Sequence, residues 1–181
     1  MTGMDPATIV MLTGEGTTVH RRVALDLDQR GGRARWAMQL DAALRDEPTE
    51  LIAVAEGLAA VALAYWMQLS PRGYLAALRG AVLHAPASAS ACATAGLGSL
   101  PNTHLPVRSI VVGHAGEDAA RHLSLADRWG ARFVPDHQLA RTVADDAIEA
   151  RLLAVARTRS DAMPSSPPIA SGDVVPIRTA I

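Results

Sequence analysis

The sequence predicts a compact three-layer α/β domain, with five or six mostly parallel strands covered by helices on both faces. Three observations lead there. Apolar runs of five residues recur along the chain, most of them without polar interruption. Longer stretches with helical spacing of apolar residues fall between these runs, and small or glycine-containing turns join the two kinds of segment. Strands buried on both faces read as continuous apolar runs, and helices between them supply the crossovers that a parallel sheet needs.

Thr8-Ile-Val-Met-Leu12 is the first such run and ends at Thr13-Gly-Glu-Gly16, a strand entering a glycine loop. Val23, Leu25 and Leu27 alternate with Ala24 and Asp26, the pattern of a short second strand or an edge. After Gly31-Gly32 a helix is expected, because Trp36, Leu40 and Leu44 recur every four residues. Asp41 and Arg45 stand one turn apart and predict a surface salt bridge on its outer side. Leu51-Ile-Ala-Val-Ala55 is a buried strand leading through Glu56-Gly57 into a helix over residues 58–69. Ala81-Val-Leu-His-Ala85 is the next strand, followed by a loop rich in Ala, Ser and Gly up to Asn102. Ser109-Ile-Val-Val-Gly113 leads into a helix ending near Trp129, and Ala131-Arg-Phe-Val-Pro135 precedes a last helix over residues 142–157. Ile148, Leu152 and Val155 define the apolar face of that helix, while Trp36, Trp66 and Trp129 read as core. The domain is expected over residues 1–158 and a Pro/Ser/Ala-rich tail over residues 159–181.

Composition excludes several chemistries. All 17 positively charged side chains are arginine, against 18 acidic ones, and lysine is absent. A P-loop lysine and a Schiff-base lysine are therefore both missing. The near-neutral charge of −1 and 3% aromatic content argue against nucleic acid as a partner. One cysteine, Cys92, excludes internal disulfides and Cys-rich zinc sites and reads as a bystander thiol. The apolar stretch over residues 51–66 is short and contains Glu56, so no membrane span is expected, and the chain reads as cytoplasmic. No metal site is expected from the spacing of His20, His104, His114 and His122, and no cofactor is implied. Gly14-Glu-Gly16 lacks the third glycine of a dinucleotide fingerprint.

Ligands gather at the carboxyl ends of strands in open α/β sheets, and the most informative end is Ala53-Val-Ala-Glu-Gly-Leu-Ala-Ala60. A strand turns sharply into a helix there. A nucleophile elbow demands small side chains two residues before and two after the nucleophile. Centring the turn on Gly57 puts Ala55 and Ala59 at those places, with no side chain at the nucleophile position itself. The chain resembles the small α/β-hydrolase-fold serine hydrolases typified by retinoblastoma-binding protein nine and bacterial YdeN-type proteins. The resemblance rests on Ala55 to Trp66, on Arg35-Trp-Ala-Met-Gln-Leu-Asp-Ala-Ala43, on Leu105-Pro-Val-Arg-Ser-Ile-Val-Val112 and on Ala126-Asp-Arg-Trp-Gly-Ala-Arg-Phe-Val134, in that family's order. It implies a lidless α/β-hydrolase-type fold.

It also implies where a triad would sit. The family's serine falls on Gly57 and the preceding histidine on Glu56. Its acid falls on Glu117 or Asp118, its histidine on His137, and its oxyanion-side loop on Gly14 and Gly16. Leu58, beside the elbow, and His84, at the end of a central strand, are candidate pocket residues. The expectation is therefore a non-catalytic relative that keeps the pocket and binds a small acyl or ester-like ligand or a protein. The partner surface would come from the tail or the loop over residues 85–100. The alternatives are a hydrolase using Glu56, Ser88 or Ser90 as nucleophile, and a structural subunit of a larger assembly. Glu56 fits an elbow poorly, since Val54 and Leu58 would then occupy the small-residue places.

Overall fold

The computed structural model describes residues 7–13, 18–27, 35–45, 47, 49–114, 116 and 118–162. Six strands form one sheet: β1 (Ala7–Thr13), β2 (Val19–Leu25), β3 (Leu51–Glu56), β4 (Leu78–His84), β5 (Ser109–Gly113) and β6 (Arg132–Pro135). Their order across the sheet is β2-β1-β3-β4-β5-β6. β1 runs antiparallel to both neighbours, and β3 through β6 are parallel. The expected three-layer α/β architecture with a mostly parallel sheet is what the chain adopts.

The period-two alternation of each strand decides what each face meets. Leu51, Ala53, Ala55, Leu83 and Val111 join Ile9 and Met11 on one face. That face is covered by α1 (Arg35–Leu44), α2 (Gly57–Leu69) and α4 (Ala119–Trp129). Ile52, Val54, Val82, Ile110, Val112 and Val134 face the other way, against α5 (Ala147–Ala162). β3 is therefore apolar at every position except its last, which explains a run without alternation. β2 lies at an edge and buries only Val23 and Leu25.

Four local expectations are corrected. Asp41 accepts a hydrogen bond from Trp66 Nε1 at 2.8 Å, pinning α1 to α2, while Arg45 stacks over the Tyr74 ring. The small-residue segment after β4 contains a short helix, α3 (Ala89–Thr94), capped by Ser88 Oγ, which accepts from the Ala91 amide. The last helix starts later than expected, because a 3-10 segment (Asp136–Arg141) follows β6 directly. It also continues through Ala162, so residues 159–162 extend the helix. Asp146 Oδ1 accepts from the Glu149 amide and Glu149 Oε2 from the Asp145 amide, a reciprocal cap that sets the start of α5. With that start, Leu152, Leu153, Val155 and Ala156 form the buried face and Ile148 is 39% exposed. Residues 163–181 lie outside the described residues. Trp66 and Trp129 are buried, and Trp36 packs partly buried against the core.

Candidate active-site elbow

β3 ends at Glu56 and α2 begins at Gly57 without an intervening loop. Glu56 is still extended, with φ −132° and ψ 148°, and Gly57 turns to φ +57°. That left-handed conformation costs a residue with a Cβ roughly 1–2 kcal/mol, and glycine avoids the cost. Ala55 and Ala59, the small residues flanking the turn, are both buried. The sharp turn and its small flanks are thus present, as the spacing suggested. A Cβ built on Gly57 meets no atom within 4 Å, so the nucleophile position opens onto free space.

The surroundings of the elbow are tied down. The Ala87 amide donates to the Gly57 carbonyl at 3.1 Å. Arg121 Nη1 donates to the Pro86 carbonyl at 2.7 Å, and its Nη2 lies 3.0 Å from His122 Nε2. The Ala85 amide donates to the Val112 carbonyl at 2.7 Å with φ +37° at Ala85, a left-handed conformation on a non-glycine residue. The Ala85→Gly substitution is expected to relieve about 1–2 kcal/mol of backbone strain while adding about 0.5–1 kcal/mol of unfolded-state entropy. The net result is a urea midpoint that rises slightly, and a clear fall would show that Ala85 is unstrained.

The side chains expected to act at this edge are distributed as follows. Glu56 forms an ion pair with Arg159 of α5 at 2.6 Å, which occupies it as a salt-bridge partner. His84, the register partner of Glu56 on β4, is 9% exposed, and its Nε2 has no hydrogen-bond partner. Burial, reinforced by the Arg159 charge, pushes its pKa down to about 4, so the ring is neutral. Leu58 is partly buried in the first turn of α2. Asp118 is exposed and paired with Arg121 at 3.0 Å, a contact that holds its carboxyl below the usual range. His137 is exposed on the 3-10 segment and hydrogen-bonded to the Gln138 side-chain amide at 3.2 Å. Asp118 and His137 are thus bound to other groups and share no hydrogen bond with each other. Gly14, Gly16 and Glu117 lie outside the described residues. Ser88 Oγ and Ser90 Oγ bond to each other at 2.9 Å, and neither bonds to an imidazole.

The structure places a different imidazole and carboxylate together. His114 follows β5, Asp136 follows β6, and His114 Nδ1 stands 2.7 Å from Asp136 Oδ2. Glu56 and His84 are register partners at the ends of β3 and β4, and His114 and Asp136 directly follow the ends of β5 and β6, so the four lie along one edge of the sheet. The sequence held no local motif for this pair, because its two members are neighbours only through the register of β5 on β6.

Among the described residues no three His, Cys, Asp or Glu side chains group as metal ligands, and no helix is long and apolar enough to cross a membrane. Cys92 is fully buried, and burial pushes its thiol pKa up, which makes it a core residue rather than a nucleophile. A family model described as serine hydrolase matches residues 14–145. Comparison with curated proteins and with solved structures gives no match.

Proposed function

Because the chain belongs to the serine hydrolase family, we propose that it is a non-catalytic member that binds a small acyl or ester-like ligand at the elbow. One observation carries this reading: the elbow keeps its geometry at Gly57, with φ +57° between buried Ala55 and Ala59, but carries no nucleophile. Removing the serine of a Ser-His-Asp site leaves only the small activity supplied by binding and oxyanion stabilisation. The substitutes for it are otherwise engaged. Glu56 is paired with Arg159, and Ser88 caps α3. The Ser88 hydroxyl bonds to Ser90 and the Ala91 amide rather than to an imidazole, the contact that activates a serine, and the Glu56 carboxylate is held by Arg159.

No atom lies within 4 Å of a Cβ placed at Gly57, so the elbow is not filled by side chains, as a purely structural role would have it. The test is direct. A fluorophosphonate probe, which labels activated serines covalently, is expected to leave the unaltered chain unlabelled by intact mass. Stoichiometric labelling would overturn the reading, and the labelled peptide would name the serine responsible.

A further inference from the structure

We infer that His114, oriented by Asp136, is the base of the elbow site, in place of His137 and the acidic residues of the 117–118 segment. β5 and β6 are parallel, with Gly113 registered against Pro135. The next residue on each strand is therefore forced alongside its counterpart at the carboxyl edge, and those residues are His114 and Asp136. His114 Nδ1 and Asp136 Oδ2 stand 2.7 Å apart. A proton held on Nδ1 beside the carboxylate would leave Nε2 as the basic nitrogen, the arrangement of a general base whose tautomer a second group sets.

The pair also has the right address. β3, which delivers Gly57, and β5, which delivers His114, end on the same edge with β4 between them. His84 closes β4, with Glu56 beside it on β3 and Val112 beside it on β5. Asp136 is the more sheltered partner, with 29% of its side chain exposed against 72% for His114.

In the native chain no hydroxyl stands at position 57 to lose its proton, so the pair is idle as a base. This inference rests on the absent nucleophile proposed above. Supplying the hydroxyl tests it. In a Gly57→Ser chain, the introduced hydroxyl oxygen attacks the carbonyl of p-nitrophenyl acetate and its proton passes to His114 Nε2. The C–O bond to the p-nitrophenyl oxygen then breaks as His114 passes its proton to that oxygen, releasing p-nitrophenol and leaving an acetyl ester on the introduced side chain. Water next attacks that ester with His114 again taking the proton. Acetate departs as the proton returns to the introduced oxygen.

The Gly57→Ser chain, verified as folded by circular dichroism, is expected to react with a fluorophosphonate and to turn over p-nitrophenyl acetate. Adding His114→Gln should slow labelling by about 100-fold or more, the usual contribution of a general base. Adding Asp136→Asn should slow it comparably with the imidazole still present, whereas His137→Gln should leave it unchanged. A folded Gly57→Ser chain that is not labelled overturns the inference, as does labelling that survives His114→Gln and is lost with His137→Gln. A second measurement does not depend on the new hydroxyl. In the unaltered chain, long-range proton–nitrogen NMR should find His114 as the Nδ1–H tautomer, and Asp136→Asn should abolish that preference. An Nε2–H tautomer in the unaltered chain would overturn the pairing. Labelling of the unaltered chain, by contrast, defeats only the non-catalytic reading.

Discussion

Acidification from pH 6.5 to about 4 is expected to remove about 3 kcal/mol of stability at His84 alone. The ring is enclosed at the end of β4, and neutral in the folded chain down to about pH 4. In the unfolded chain it takes up a proton below its ordinary value of 6.5. Between those two values the unfolded state binds the extra proton, so unfolding becomes steadily easier as pH falls. Above 6.5 the ring is neutral in both states and the effect vanishes. Burial is the first cause and Arg159 the second, with Glu56 and Asp136 opposing. Urea midpoints measured across this window should therefore fall more steeply for the native chain than for His84→Leu. His122, whose pKa burial also lowers, contributes the same slope to both and cancels in the comparison. Parallel slopes in the two chains would show that His84 is not the responsible group. His84→Leu should match the native chain above pH 7, because it also removes the unpartnered Nε2.

Trp129→Ala is expected to destabilise the fold by about 3–5 kcal/mol, a fall of roughly 10–15 °C in Tm. Trp129 ends α4 with no exposed surface, and its Nε1 donates to the Pro101 carbonyl at 3.0 Å. Its own carbonyl accepts from the Leu105 amide at 2.8 Å, so this side chain and its backbone both anchor the segment before β5. Truncation opens a cavity and strands a buried carbonyl together. Trp129→Phe separates the two, since it keeps most of the volume and loses only the donor, at a cost of about 1–3 kcal/mol. Equal losses in both variants would mean that the hydrogen bond, rather than packing, holds the segment.

How much of this was legible in the sequence follows from where each kind of information resides. The buried runs in β3 and β5 announce themselves because both faces of those strands are covered, leaving no reason for a polar residue. The elbow is legible for a steric reason, as Ala55, Gly57 and Ala59 record the crowding of the turn directly in side-chain size. The start of α5 was also written there, in Asp146 and Glu149, but helical periodicity outweighed the cap. The direction of β1 was not legible. Its neighbours are β2 and β3, and apolar character is the same whichever way a strand runs. The His114–Asp136 pair lies beyond local reading for a related reason. All of α4 separates its members along the chain, and only the pairing of Gly113 with Pro135 makes them adjacent. The destination of the Asp41 carboxylate was hidden similarly, since the Trp66 indole reaches it from another helix.

The edge strand β2 has a consequence for how molecules of this chain meet one another. An exposed sheet edge offers a row of amides and carbonyls to any other strand, and proteins protect such edges with charge. Here the first four residues of β2 are exposed and include His20, Arg21 and Arg22. Arg21 is also bound back to the Ala43 carbonyl at 2.8 Å, which keeps its guanidinium over the flank. A second chain adding a strand there would have to strip water from neighbouring guanidinium groups for the sake of ordinary backbone hydrogen bonds. Arg21 and Arg22, at the exposed start of β2, are therefore expected to disfavour addition of a further strand along that edge.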